Sequence, residues 1–325
     1  LKHPYDSLSP DTVIDAVESQ NLLSDLRILA LNSYENRVYQ VGIDEQQPVI
    51  AKFYRPERWT REQILEEHSF TQDLKDLDIP VVEPWQNEHG ESLFEHQGFM
   101  FALYRRQGGQ APDLDDFDKL LSMGRVLGRI HTMGRQQPFK HRPSIDIQSY
   151  GIDSREFLLS NGFIPKALLP AYESLSADLL QRIELRFQET PVATQRCHGD
   201  CHIGNILWRD GAPHFVDFDD ARMAPAIQDL WMLLSGEREQ QTLQLSEVLE
   251  GYREFADFNA AELNLLESLR TLRLLHYSAW LAKRWSDPAF PKAFPWFNTE
   301  RYWAEHILEL REQLGAIDEP PLMVY

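Results

Sequence analysis

A chain of 325 residues with 42% hydrophobic content can bury a sizeable core as one large domain or two lobes, and no stretch approaches the ~20 apolar residues that span a bilayer. Its 51 acidic and 32 basic residues, a net charge of −19, exclude a general nucleic-acid binder and disfavour an anionic membrane surface, because both need clustered Lys and Arg; at long range that charge favours cationic groups or basic protein segments. Two cysteines exclude a disulfide framework and suit a reducing cytoplasm, and Leu1 to Pro10 lacks the basic start and apolar core of a secretion signal.

Ser9-Pro10-Asp11-Thr12 signals a helix start, with Ser9 as cap and Pro10 in the first turn, and the helix should run to about Gln20. Extended runs follow at Arg27 to Leu31, Val38 to Ile43 and Val49 to Tyr54, the last two joined by a hairpin connection at Asp44-Glu45-Gln46-Gln47. Thr60 caps a second helix, with Ile64, Leu65, His68 and Leu74 near helical spacing. Strands are predicted at Val81 to Trp85, Ser92 to Glu95 and Phe99 to Tyr104, with a turn at Asn87-Glu88-His89-Gly90. The sum is a small antiparallel sheet with one helix across it. Gln107-Gly108-Gly109-Gln110 then breaks the chain, which divides it into residues 1–106 and 107–325.

Helices dominate the second part. Leu120, Met123, Leu127 and Ile130 recur at steps of three and four, the mark of an amphipathic helix. Another helix spans about Pro165 to Phe187. The segment from His198 reads as loop, short strand, turn at Asp210-Gly211 and strand. Further helices start near Ala226, Glu239, Ala260 and Thr299. The chain shows no internal repeat and no low-complexity tract.

The chemistry concentrates in His198-Gly199-Asp200-Cys201-His202-Ile203-Gly204-Asn205 and, twelve residues after Asn205, in Asp217 of Phe215-Val216-Asp217-Phe218-Asp219-Asp220. Phosphoryl transfer needs one carboxylate to take the proton of an attacking hydroxyl, and an Asn carbonyl plus a carboxylate to hold Mg²⁺ between phosphates. Mg²⁺ takes hard oxygen ligands and only one or two protein carboxylates. Asp200 fits the first role; Asn205 and Asp217 fit the second. A zinc site made from Cys197, His198, Cys201 and His202 has the right ligand types but the wrong spacing. His198 reads instead as a packed residue shaping the turn, and His131, on the amphipathic helix, as structural. Asp229 opens an apolar run and reads as a helix cap.

The H-G-D-x-x-x-x-N and D-F-D pair resembles the aminoglycoside phosphotransferase and choline kinase group of kinase-like folds. Lys52 in Val49-Ile50-Ala51-Lys52-Phe53-Tyr54 looks like that group's nucleotide-binding strand lysine, and Asn32 to Tyr39 looks like its phosphate-covering turn. Periodicity leaves Glu66 and Glu67 open as the ion-pair partner of Lys52; the resemblance favours Glu67. Asp229 looks like the residue that anchors the catalytic loop from below. The runs Lys52 to Trp59, Gln228 to Leu234 and Trp285 to Lys292 extend the resemblance, to a bacterial protein-kinase branch serving stress responses, over nearly the whole chain.

What the resemblance implies is an α+β, bilobal protein-kinase-like fold, with a small antiparallel-sheet N-lobe and a larger, mostly helical C-lobe. It implies an ATP- and Mg²⁺-dependent kinase acting on Ser or Thr of a protein, as a cytoplasmic monomer that binds neither nucleic acid nor membrane. In it Asp200 is the base, Asp217 and Asn205 hold the metal, and Lys52 faces the phosphates. No G-x-G-x-x-G is present, so the Ser33 hydroxyl either replaces a missing backbone donor or is a plain turn serine. Asp219 either holds a metal-bound water or caps a turn, and Asp220 should be solvated. The aromatic stretch Trp285 to Trp303 is core packing or a substrate platform. With about ten residues between Asp217 and Asp229, a phosphorylated activation loop is not expected. Two other readings stand beside this one: a kinase for a cationic alcohol or amino sugar, and a pseudokinase that binds nucleotide and regulates a partner.

Overall fold

The computed structural model describes residues 3–324. Helix α1 (Pro10–Glu18) starts where Ser9 Oγ accepts the Thr12 N–H, with Pro10 at the first helical position. Then come β1 (Ser24–Ala30), β2 (Arg37–Ile43), β3 (Val49–Phe53), α2 (Arg61–Asp76), β4 (Phe94–His96) and β5 (Phe99–Arg105). Among the described residues these five strands form one antiparallel sheet in the order β1-β2-β3-β5-β4. The two-residue period of a strand sets its faces. Val49, Ala51 and Phe53 join Val13, Ala16 and Val17 of α1 in one buried cluster. Ile50 and Lys52 therefore point the other way, into a cleft. Lys52 is held in register opposite Val38 of β2 and Ala102 of β5.

A reciprocal cap between Thr60 and Gln63 starts α2. Ile64, Glu67, His68, Thr71 and Leu74 form its buried stripe, so Glu67 faces inward. The strand expected at Val81 to Trp85 is a strap instead. The Val82 N–H bonds to the Phe215 carbonyl and the Trp85 N–H to that of Leu103, which ties this segment to the hairpin of residues 206–215 and to the sheet at once. Pro84 has no N–H and cannot continue a ladder.

The second part begins with α3 (Phe117–Gly134), capped by Asp116. It continues through α4 (Asp153–Ser160), α5 (Leu169–Glu189), β6 (Gln195–Cys197), β7 (Ile206–Arg209), β8 (Ala212–Phe215), β9 (Arg222–Ala224), α6 (Arg238–Arg253), α7 (Leu266–Lys283), α8 (Ala289–Ala293) and α9 (Glu300–Asp318). β6 pairs with β9, and β7 with β8, both antiparallel. α3 and α6 meet backbone to backbone: a β-carbon at Gly124 would sit 2.0 Å from the Val248 carbonyl oxygen. Thr299 caps α9 as its sequence suggests. The result is the α+β, two-lobed arrangement, a small sheet set on a larger helical layer.

Three expectations need correction. Ala226–Asp229 and Trp231–Leu233 are short 3₁₀ turns, so Asp229 lies inside a turn, fully buried, and does not cap a helix. Ala260–Leu265 is also 3₁₀ before α7 begins. β9, α4 and α8 were not legible, because each is too short for a repeating hydrophobic pattern to show. Of the aromatic stretch, Phe290, Phe297 and Trp303 are core residues, and Trp296 is exposed.

Candidate active site

β6 ends at Cys197 and delivers the loop 198–205 onto a buried frame. The carboxylate of Asp229 accepts the backbone N–H of His198 (2.8 Å) and of Gly199 (2.9 Å). Its Oδ2 also meets His131 Nε2 at 2.8 Å, and His131 Nδ1 meets the Tyr252 hydroxyl at 2.9 Å. Burial alone would raise the Asp229 pKa; the His131 bond and the loop N–H groups outweigh burial and hold it below the usual range. Gln228 Nε2 donates to the Gly199 carbonyl at 3.0 Å. Gly199 has φ +88°, and a β-carbon there would lie 2.1 Å from the Asp220 carbonyl oxygen, so only glycine fits the turn. His198 Nε2 bonds the Val216 carbonyl (2.7 Å), which can only accept, so Nδ1 is left to accept the Asp200 N–H (3.3 Å). The His198 ring thus joins the 198–205 loop to the Asp217 turn.

Asn205 Nδ2 donates to the Asp200 carbonyl at 2.9 Å. That orients the amide and turns Oδ1 outward, where it accepts no hydrogen bond among the described residues. Asp217 sits in the left-handed region (φ 57°, ψ 67°) at the end of β8, with its side chain 52% exposed. Its Oδ1 meets Lys52 Nζ at 2.9 Å, and Asp219 Oδ1 lies 3.5 Å from the same ammonium. Burial would lower the Lys52 pKa; Asp217, Asp219 and Glu67 together hold it well above the usual lysine value, so Lys52 is charged.

The direct Lys52–Glu67 ion pair expected from the sequence is not formed. Asp217 and Asp219 reach the ammonium instead, and Glu67 Oε2 is buried without a hydrogen-bond partner. Glu66 is excluded as the partner, because it accepts the backbone N–H groups of Lys140, His141 and Arg142. Burial pushes the Glu67 pKa from 4.5 up to about 7, with Lys52 opposing and Asp219 adding to the rise. An acid with a raised folded pKa binds its proton more tightly when folded, so stability falls as pH climbs from about 4.5 through about 7. Glu67→Gln should therefore melt above wild type at pH 8, by on the order of 1–3 kcal/mol, with the gap closing toward pH 4.5. Thermal denaturation at the two pH values checks this, and a gap that widens on acidification would contradict it.

Two cavities meet at this turn. The first, of about 340 Å³, is lined by the apolar Leu31, Val38, Ile50, Val82, Leu207 and Val216 and by the polar Lys52, Glu67, Asn205 and Asp217. Such an apolar slot with charged groups at one end suits a base and its phosphates. The second, of about 610 Å³, is lined by Asp200, His202, Asp219, Asp220, Tyr150 and several arginines. Ser33 and Asp217 line both. Asp200 thus opens on the second cavity, Lys52 and Asn205 on the first. Asp200 Oδ1 is held by Arg273 of α7 at 2.8 Å, and His202 Nε2 stands 3.4 Å from Oδ2. Burial acts to raise the Asp200 pKa, and His202 and Arg273 overcome it, so the carboxylate is ionised. Arg273 carried no signal in the sequence: it lies on an ordinary helix face, 73 residues from Asp200.

Asp219 and Asp220 tie the turn to the sheet layer. Arg58, after β3, bonds Asp219 Oδ2 and also Asp220 Oδ1 at 2.7 Å, and Asn36 Nδ2 donates to Asp219 at 3.1 Å. Asp220 is therefore not the solvated residue expected. Farther out, Asp287 is 1% exposed and takes His3 (2.5 Å), Arg37 (2.8 Å) and Arg55 (2.6 Å), which clamps the sheet to the α7–α8 loop.

The donors at the turn fit Mg²⁺: a free amide oxygen on Asn205 and a half-exposed carboxylate on Asp217 are hard oxygen ligands at the border of the two cavities. Zinc does not fit the Cys-His set. Cys197 and Cys201 are buried thiols whose pKa values burial pushes well up, and His198 is engaged with backbone groups at both nitrogens. Among the described residues no helix is long and apolar enough to cross a membrane.

Comparison with known proteins matches residues 27–270 to the phosphotransferase enzyme family. Stress response kinase A of Shigella flexneri is 46% identical over 320 residues, covering 98% of this chain and 97% of that protein. The serine/threonine protein kinase RdoA of Salmonella typhimurium is 44% identical, with the same coverage. Among solved structures, an amicoumacin kinase superposes with a TM-score of 0.72 at 19% identity, over 98% of this chain and 96% of that one. The choline kinase LicA of Streptococcus pneumoniae reaches 0.63 at 15% identity, over 94% and 98%. These structural likenesses speak to fold alone.

Proposed function

Since this chain belongs to the phosphotransferase enzyme family, we propose that it transfers the γ-phosphoryl group of ATP, with Mg²⁺, to the hydroxyl of a Ser or Thr in a protein. One observation carries the reading: Asp217 borders both cavities, with Lys52 and Asn205 in the first and Asp200 in the second. A nucleotide and an acceptor in those cavities would meet at that border, as an in-line displacement requires. The protein acceptor rests on the similarity to relatives named as stress response and serine/threonine protein kinases.

In this mechanism Asp200 receives the acceptor hydroxyl and aims its oxygen at the γ-phosphorus. The oxygen–phosphorus bond forms as the bond to the β,γ-bridging oxygen breaks; ADP leaves, and the hydroxyl proton passes to Asp200. An aspartate held this far down is a weak base, so its chief work is orientation, which suits a loose transition state. Lys52 neutralises phosphate charge and Glu67 lies behind it, while Ser33 offers a hydroxyl where the turn has no glycine-rich backbone. Asn205 and Asp217 would hold Mg²⁺, which when bound neutralises charge on the phosphates. Residues 1–106 act as the covering lobe and 107–325 as the catalytic lobe of a cytoplasmic monomer.

The test is transfer of radiolabelled γ-phosphate to a mixed protein acceptor and, separately, to a panel of amino alcohols and aminoglycosides. Protein label should appear with Mg²⁺, vanish with EDTA, and fall by about 10³-fold or more in Asp217→Ala. Label on a small molecule alone would move this chain to the metabolic branch. Nucleotide binding without turnover would make it a pseudokinase.

A further inference from the structure

Much of the negative charge lining the second cavity is already neutralised within the protein. Each of its carboxylates stands beside an arginine or lysine, although Glu35 Oε1 and Asp219 Oδ1 are buried without a hydrogen bond. Glu35 meets Arg284 at 2.6 Å and Arg55 at 3.1 Å; Asp219 and Asp220 share Arg58; Asp200 has Arg273. Asp217, beside Lys52, faces the metal position. Of the cavity's aromatic rings, which could otherwise cage an ammonium group, Trp59, Tyr150 and Trp280 carry arginines, while no cation stands over Tyr34, Tyr277 or Phe294 among the described residues. Arg142 stands 4.2 Å from the Trp59 ring centroid, with Arg58 and Arg222 both at 5.1 Å. Arg284 covers Trp280, and Arg222 covers Tyr150.

One wall of the cavity has nitrogens without partners. Arg222, on β9, is only 9% exposed, and its buried Nε has no hydrogen-bond partner. The nearest carboxylate oxygen, on Asp220, is 3.7 Å from Nη2, too far for a hydrogen bond. Beside it His276 stacks on Tyr150 at 4.1 Å, with a buried Nδ1 that also lacks a partner. Burial, then Arg222, Lys283, Arg284 and Arg58, drive the His276 pKa down to about 3, the sign of a positive potential at that wall. A buried guanidinium donor left unpaired is costly, and a carboxylate is its best complement.

We propose that the second cavity takes its acceptor Ser or Thr from an acidic peptide segment, with a carboxylate flanking the hydroxyl bound by the unpaired edge of Arg222 and by His276, next to Arg273 and Asp200. The proposal rests on the protein-kinase reading and deepens it. It also runs against the long-range field: a net charge of −19 repels acidic partners, so the preference is local to this wall.

The experiment measures phosphorylation of a peptide library with one fixed Ser and flanking positions randomised among Asp/Glu, Ala and Lys/Arg, using the full chain, ATP and Mg²⁺. Wild type should favour acidic flanks at least tenfold in kcat/KM over alanine. Arg222→Gln should raise KM for acidic peptides about tenfold and leave KM for ATP and for alanine peptides unchanged, and Arg222→Lys should restore part of the loss. The wild-type series alone decides the matter if the variant fails to fold. A preference for basic or neutral flanks overturns the acidic acceptor and leaves the kinase reading standing. Label on an amino alcohol but on no peptide or protein overturns both.

Discussion

Asp200→Asn should lower phosphoryl transfer by about 10²–10⁴-fold while nucleotide affinity stays near wild type. The substitution keeps the side-chain outline and removes the charge. It leaves the backbone of residue 200 held as before, its N–H on His198 Nδ1 and its carbonyl on Asn205 Nδ2. What disappears is the anion that Arg273 meets at 2.8 Å and that would align the acceptor hydroxyl. Asp200 does not line the first cavity, so binding of a fluorescent nucleotide should be unaltered. Turnover of the Asn variant at wild-type speed would sink the assignment. Paired with the Asp217→Ala variant, this separates orientation of the acceptor from handling of the metal.

Asp229→Ala should cost about 3–5 kcal/mol of folding stability, the usual range for removing one partner from a buried charged network. Three donors lose their acceptor at once: the N–H groups of His198 and Gly199 and the His131 ring. Residue 229 is fully buried, so donors left unmet there carry their full desolvation cost. Because the Asp229 pKa is depressed, its contribution is present above the ordinary aspartate value of 3.8 and is lost as pH falls below it. The variant should thus be most destabilised, relative to wild type, at neutral pH. Urea denaturation at pH 7 and at about pH 2–3, below the ordinary aspartate value, reads this directly, and a loss under about 1 kcal/mol at neutral pH would mean that the loop does not hang from this carboxylate.

Much of the fold was legible because its signals are local. Ser9, Thr60 and Thr299 cap the helices that their sequence positions announce, since a cap needs only a side-chain oxygen and N–H groups within a turn. The strands of the five-stranded sheet were visible as extended runs, and the two-residue period of β3 turns Lys52 away from the Val49, Ala51 and Phe53 core. The strand expected at Val81 to Trp85 failed, because its hydrogen bonds go to two different elements and Pro84 interrupts any ladder. Glu66 and Glu67 are adjacent on one helix, and only packing decides which of them is buried.

By itself the sequence singled out Asp200, Asn205, Asp217 and Lys52 as candidates. Those follow from short spacings within one loop, one hairpin and one strand, where covalent geometry leaves little choice. Tertiary structure alone decided what each charge meets. Arg273 reaches Asp200 from 73 residues away, His131 reaches Asp229 from 98, and Arg58 reaches Asp219 from 161. Charge pairing is a property of side chains that burial brings together, and periodicity along a chain carries no record of it. For that reason the acidic total points toward cationic partners, while the unpaired Arg222 Nε, visible only in the tertiary structure, is what the proposed acidic preference rests on.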